Sequence, residues 1–292
     1  MATLISNMKD VCLELGLPVP NAVTSSTDST TLQLLALMNR LGVMLATEGD
    51  WQALAKEHRF STVFYSYTGD TTAGSATITN LSSVVGLSTD FMASGSGIPA
   101  DNSIVSVGAD SVILNVAATE TATGTTFIFG QVKYAMPADF GRIVNKTQYS
   151  GGWSVTGPDT PQDWQALKTG AGSAFMRFRI MGDKFSVWPM PTASVVVGFE
   201  YVSKFWAVSA AGVAKEKFSA DTDTSLYPDS LLVLGTKLKF FEVKGFDTTT
   251  LFSDFARELS KFKGSESGAD TLSLCQGHGE AVPRIPDTGY GA

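Results

Sequence analysis

His58 and His278 are the only imidazoles in this 292-residue chain. Proton transfer by a histidine needs a nucleophile and an orienting carboxylate close by. His58 falls at the expected end of a helical stretch and His278 in a glycine-rich run, and neither is accompanied by a nucleophile elbow. Cys275-Gln-Gly-His278 pairs two metal ligands, short of the set a zinc ion requires. Gly69-Asp-Thr-Thr-Ala-Gly74 has the outline of a phosphate loop, but it lacks Gly-Lys-Ser/Thr and precedes an expected strand where a helix is needed. It reads as a β-turn. Asp159, Asp163, Asp221 and Asp223 are the carboxylates from which a glycan-hydrolysing pair could be drawn. Spacing does not bring them together, and Asp221-Thr-Asp223 reads equally well as a polar turn or cap. The sequence therefore assigns no catalytic, cofactor-binding or metal-binding residue. Trp153, in a glycine-rich loop, and Trp164, just after Pro161, carry a different chemistry. Each either plugs its own domain or anchors a contact between neighbouring subunits, where aromatic residues are enriched.

Composition narrows the classes further. Between Arg59 and Lys133 there is no Lys or Arg, only the acids Asp70, Asp90, Asp101, Asp110 and Glu120 among many Thr, Ser, Gly, Ala and Val. The flanks are richer in aromatics and carry mixed charge. Two sharp composition edges predict a small β module inserted into a host. The net charge of −7 disfavours a nucleic-acid duplex as the main partner, because phosphate binding needs clustered cations. No apolar run approaches the roughly 20 residues that span a bilayer. Met1 to Ile5 lacks a basic n-region, so no signal peptide is expected. Cys12 and Cys275 are expected to be unpaired thiols, which suits folding in a reducing cytoplasm.

The elements that must position these residues follow from periodicity. Thr3 is positioned to cap a helix carrying Leu4, Met8, Val11, Cys12 and Leu15, stopped by Gly16 and Pro18. Asp28 or Ser29 opens a second, carrying Leu32, Leu35, Met38, Leu41 and Leu45, which breaks near Gly49-Asp50 and continues as a helical turn to His58. Residues 59–67 read as one strand. The insert, residues 68–130, has strand candidates at 75–79, 103–107, 111–116 and 125–129, with a hairpin turn at Gly108-Ala109-Asp110. A short helix starts at Pro161, and residues 175–180 and 184–188 form a hairpin across Met181-Gly182-Asp183. A strand follows at 194–201. Pro228 opens a helix with Leu231, Leu232, Leu238 and Phe241, stopped by Gly245. Asp247 or Thr248 caps a last one with Leu251, Phe252, Phe255, Leu259 and Phe262. The expected fold is α+β: a helical bundle built from the N- and C-terminal helices, with a β-rich middle and an inserted small β-sandwich or barrel. The expected division is a core of residues 1–67 and 131–263, an inserted domain of 68–130 and an extended tail of 264–292.

Several host segments, in order, carry a resemblance: Tyr134-Ala-Met-Pro-Ala-Asp-Phe-Gly-Arg-Ile-Val, Pro161-Gln-Asp-Trp-Gln-Ala-Leu-Lys, Phe178-Arg-Ile-Met-Gly-Asp-Lys-Phe-Ser-Val-Trp-Pro-Met-Pro and Phe199-Glu-Tyr-Val-Ser-Lys-Phe-Trp. Asp221-Thr-Asp-Thr-Ser-Leu-Tyr-Pro-Asp-Ser-Leu-Leu and Lys239-Phe-Phe-Glu-Val-Lys-Gly-Phe-Asp complete the set. Together they resemble the head-to-tail adaptor proteins of short-tailed bacteriophages. The insert, through Gly74-Ser-Ala-Thr-Ile-Thr-Asn-Leu-Ser-Ser, Ser94-Gly-Ser-Gly-Ile-Pro-Ala and Ser103-Ile-Val-Ser-Val, resembles small β modules of phage structural proteins.

The resemblance implies a non-enzymatic virion component at the head–tail junction, made in the host cytoplasm. It implies a homo-oligomeric ring, a dodecamer, between the portal protein and the tail nozzle or tail fibre proteins. Genomic DNA would pass through the lumen without sequence-specific binding, with no cofactor and no membrane. The tail would reach into the portal, making Arg284, Ile285 and Tyr290 interface candidates beside Trp153 and Trp164. The competing expectations are another tail part, such as a tube or fibre-docking protein, and a cell-wall glycan hydrolase.

Overall fold

The structure is a computed structural model and describes residues 1–49, 51–169 and 175–266. The fold is α+β, with five α-helices among the described residues: α1 (Leu4–Leu15), α2 (Ser29–Glu48), α3 (Pro161–Thr169), α4 (Asp229–Lys244) and α5 (Thr249–Glu266). Local chemistry explains their ends. The Thr3 hydroxyl accepts from the Ser6 N–H at 3.4 Å, and Asp28 accepts from the Thr31 N–H at 2.8 Å, each satisfying a donor that the first helical turn leaves free. Gly16 and Gly245 close α1 and α4 in the left-handed conformation.

Helix α4 packs against α1, α2 and α5. The apolar stripes merge into one core: Leu4, Met8, Val11 and Cys12 from α1, Leu34, Met38, Leu41 and Leu45 from α2, Leu231, Leu232 and Leu238 from α4, and Phe255 from α5. Trp51, Trp206, Phe218 and Tyr227 fill its centre. The Trp206 and Tyr227 rings stack at 5.9 Å, and Trp51 lies on Phe262 at 4.8 Å. Each large side chain buried here contributes roughly 2–3 kcal/mol.

The strands, in chain order, are β1 (Ala55–Ser61), β2 (Phe64–Thr71), β3 (Thr77–Ile78), β4 (Phe91–Ser94), β5 (Asn102–Val107), β6 (Val112–Leu114) and β7 (Ala122–Gln131). There follow β8 (Lys133–Ala135), β9 (Phe140–Ile143), β10 (Tyr149–Ser150), β11 (Trp153–Ser154), β12 (Arg177–Met181), β13 (Lys184–Trp188) and β14 (Val196–Ser203). Short β15 (Ala207–Val208), β16 (Ala214–Lys215) and β17 (Thr224–Ser225) complete the set. Strand β14 centres a five-stranded sheet, with β1 along one side and β9 and β10 sharing the other, and β11 beyond β10. Three-stranded β12-β13-β8 packs with it over a second core that contains Phe178, Phe185, Val187, Val197, Phe199 and Tyr201.

The third core belongs to the six-stranded sheet β2-β7-β4-β5-β6-β3, which includes Ile78, Phe91, Ile104, Val112, Phe127 and Phe129. Its first and last strands meet through an Asp70–Thr79 bridge with reciprocal bonds of 2.8 and 2.9 Å, so the sheet nearly closes into a barrel. The β2–β7 pairing runs from Phe64 opposite Gly130, inside the cation-free stretch between Arg59 and Lys133.

Several expectations differ from the structure. The helical turn after Trp51 is a single 3-10 turn, Gln52–Leu54, and His58 lies on β1. Residues 59–67 are two strands, because Thr62 is buried and its hydroxyl donates to Ala193 O at 2.8 Å, which turns the chain from one sheet into another. Helix α5 runs through Gly264 to Glu266, past the expected stop. The remainder of the expected tail, from 267, lies outside the described residues.

Gly42 sits inside α2 where its lack of a side chain is required, because a Cβ built there lies 2.1 Å from the Trp206 ring. Gly42→Ala gains helix propensity of about 1 kcal/mol but must displace a fully buried indole. The net outcome is a loss of roughly 1–3 kcal/mol, read as a lowered midpoint in urea unfolding with an unchanged slope.

Candidate interaction surfaces

Trp153 and Trp164 separate in the structure. Trp153 is 68% exposed, on β11. Gly151 and Gly152 precede it with φ of 56° and 87°, the two positive values a tight two-residue hairpin turn requires. Its ring meets exposed Phe175 at 5.9 Å. A surface groove of about 480 Å³ lies under the pair, lined also by Ser154, Met176 and Val195. Trp164 is 2% exposed and belongs to the second core. It plugs its own domain, because α3 lays its one buried side chain onto the sheets. Arg284, Ile285 and Tyr290, like Cys275 and His278, lie outside the described residues.

The carboxylates that could have made an acid–base pair are engaged in holding the chain. Asp159 pairs with Arg177 at 2.5 Å. Asp163 and Thr160 cap α3, with the Thr160 hydroxyl donating to the carboxylate at 2.8 Å and accepting from the Asp163 N–H at 3.2 Å. Asp221 accepts from the N–H groups of Val23 and Thr24 at 3.0 and 2.8 Å. Asp223 is fully buried and accepts from Lys215 Nζ at 2.9 and 3.0 Å and from the N–H groups of Ser219 and Ala220. Their backbone carbonyls also receive the first amides of α1: Leu4 N–H donates to Asp223 O and Ile5 N–H to Asp221 O. The segment after β16 thus pins the loop before α2 and the start of α1. Burial raises the carboxyl pKa at Asp223, but the backbone and Lys215 hydrogen bonds outweigh it and hold the group below its ordinary value.

Asp139 makes a comparable hub at the first sheet. It accepts from Lys56 Nζ at 2.6 Å and from the Tyr201 and Ser203 hydroxyls at 2.8 Å each, joining the loop before β9 to β1 and β14. Burial opposes ionisation, and these donors again win, so its pKa is lowered. His58 lies between Phe60 and Phe199, with ring centroids 6.0 and 5.4 Å away. Burial depresses its pKa against the opposing pull of Asp139, which favours a neutral packing ring. The Gly69–Gly74 segment lies on β2 and the turn after it, and Asp70 accepts there from Asn80 Nδ2 and Gly124 N–H at 2.7 Å each. A fixed carboxylate repels phosphate at that position.

The barrel is tied by charge to β13 and α3. Lys184 Nζ contacts both oxygens of Asp90 at 2.6 and 2.7 Å, and Lys168 reaches Asp101 at 3.1 Å. Tyr134 OH donates to Gln131 O at 2.8 Å and accepts from the Val63 N–H at 3.2 Å, clamping both strands that leave the barrel. Burial pushes its pKa up to about 12, so it keeps its proton as the clamp requires. Among the described residues there is no group of three or more His, Cys, Asp or Glu able to hold a metal ion, and no helix is long and apolar enough to cross a membrane.

A family model described as SU10 adaptor protein matches residues 47–242, well over half of the chain. The match begins at the end of α2 and ends inside α4. No curated protein matches the chain.

Two outcomes follow from this geometry. Trp164→Ala empties a core site and lowers stability by about 3–5 kcal/mol, whereas Trp153→Ser leaves the thermal midpoint unchanged; differential scanning calorimetry distinguishes them. Asp223 has a folded pKa below the unfolded value of about 3.8, so its contribution is complete above that value. It is lost as pH falls through the lower folded pKa. Asp223→Asn therefore costs roughly 2 kcal/mol at neutral pH and flattens the decline of stability below pH ~4, measured by urea unfolding at a series of pH values.

Proposed function

Because the chain belongs to the SU10 adaptor protein family, whose members are phage structural adaptors of the virion's head–tail junction, we propose that it works as a ring of identical subunits joining portal to tail. Twelve copies would stand beneath the portal, with the genome passing through the lumen and the tail nozzle or fibre proteins below. The family match carries this reading, and the family's structural character supports a non-enzymatic role. In this reading the helices gathered on α4 form the bundle of each subunit. The barrel is a side module, docked through Lys168 and Lys184, that projects outward as a decoration or a fibre-docking face. The aromatic pair Trp153 and Phe175 is the natural anchor for a neighbouring subunit or the tail. The C-terminal residues that include Arg284, Ile285 and Tyr290 dock on the portal. The net charge of −7 suits a lumen that repels DNA and lets it slide.

Mixing the purified chain with a portal ring and imaging the product by electron microscopy tests the proposal. The expected product is a second ring stacked coaxially on the portal. Portal rings that remain bare, or that bind the chain in scattered positions, would contradict it. Trp153→Asp is expected to reduce ring assembly in the same images while the variant remains folded by circular dichroism.

A further inference from the structure

Strand β1 is a seven-residue edge of the five-stranded sheet, with β14 on one side and no described strand on the other. The Thr62 N–H donates to Val195 O at 2.8 Å, so residue 62 faces β14. In an antiparallel ladder the main-chain groups of alternate residues point the same way. Lys56, His58 and Phe60 therefore bond to β14, and Ala55, Glu57, Arg59 and Ser61 point outward. The Ala55 N–H is used by Gln52 O. The N–H and C=O groups of Glu57, Arg59 and Ser61 have no main-chain or side-chain partner among the described residues. Proteins ordinarily protect such an edge with proline, a bulge, shortness, a covering element or charged side chains; β1 has no proline, bulge or covering strand, and its protection is charge alone, from Lys56, Glu57 and Arg59.

The edge is also self-complementary in charge. Two copies of β1 placed antiparallel about a two-fold axis through His58 bring Glu57 opposite Arg59 of the second copy and Arg59 opposite its Glu57. Ala55 meets Ser61 at each end. All these residues point outward, so they fall at hydrogen-bonded positions of the new ladder. Sliding the register by two residues sets Glu57 against Glu57 or Arg59 against Arg59, and like charges directly opposite are destabilising. In the single chain the same two side chains pair with each other at the exposed surface, an interaction worth little there. From this we infer that β1 is the docking edge for a second copy of the chain, forming an isologous dimer with one sheet continuous across both subunits. An isologous contact closes at two and does not by itself propagate into a ring, so this dimer is a state of the free chain, independent of the adaptor reading.

Sedimentation equilibrium of the full chain over a range of concentrations tests it. The expected result is a monomer–dimer equilibrium. Glu57→Arg and Arg59→Glu should each weaken it by about tenfold or more, and the double exchange should restore it, with all three variants retaining the wild-type circular dichroism. A second readout uses His58→Cys in a Cys275→Ser background, where oxidation should join two chains at the axis while Glu200→Cys in the same background should not. A monomer at every concentration would overturn the proposal. So would a dimer, or any larger species, that is indifferent to the single reversals.

Discussion

The burial of Trp206 against α2 is the constraint on which the remaining structure depends. Its ring occupies the space over Gly42, stacks on Tyr227 and meets Phe218 edge-on at 4.7 Å. Tyr227 in turn packs with Trp51, and Trp51 with Phe262. This aromatic series ties residues before β1 to residues after β14. The two amphipathic ends of the chain each lack enough apolar partners alone, and together they make a closed core. Everything between them is consequently held at both ends, and the two β cores are built on a loop whose stems are already fixed.

The same logic explains how the acidic barrel, free of Lys and Arg, is tied to β13 and α3. Asp90 and Asp101 have no cation within their own stretch of sequence, and Lys184 on β13 and Lys168 on α3 supply one. Tyr134 completes the joint by bonding to both strands that cross it. A family of structural adaptors fits a molecule of this kind, in which side chains that could have done chemistry are spent on joints. Asp139, Asp159, Asp221 and Asp223 each tie separate segments together.

Helices α1, α2, α4 and α5 were legible because their apolar residues recur at helical spacing and their caps are standard, from Thr3 and Asp28 to Gly245. The β5–β6 turn at Gly108 was legible for the same local reason, with the Gly108 N–H bonding to Ser111 O. Strand β4 was not, because Phe91, Met92 and Ala93 are all buried and a strand covered on both faces shows no alternation. The break at Thr62 was hidden because the residue is small and polar, and only its partners Ala193 and Val195 reveal the turn. The place of Trp164 was open in the sequence, since a tryptophan after a helix-starting proline suits a core or an interface equally. The role of Asp221 depends on Val23 and Thr24, some two hundred residues away, which no local pattern encodes, whereas the Asp223 carboxylate is held by the nearby Lys215, Ser219 and Ala220.

Native-state hydrogen exchange tests the central claim most directly, because segments that share one core must open together. The account predicts that amides of α1, α2 and α4 exchange with a common opening free energy, and that Gly42→Ala lowers all three by the same amount. The barrel strands β4 and β7 should keep their own, separate value in that variant. Protection of α1 and α2 that is lost while α4 remains closed, or a barrel that opens in step with them, would contradict it.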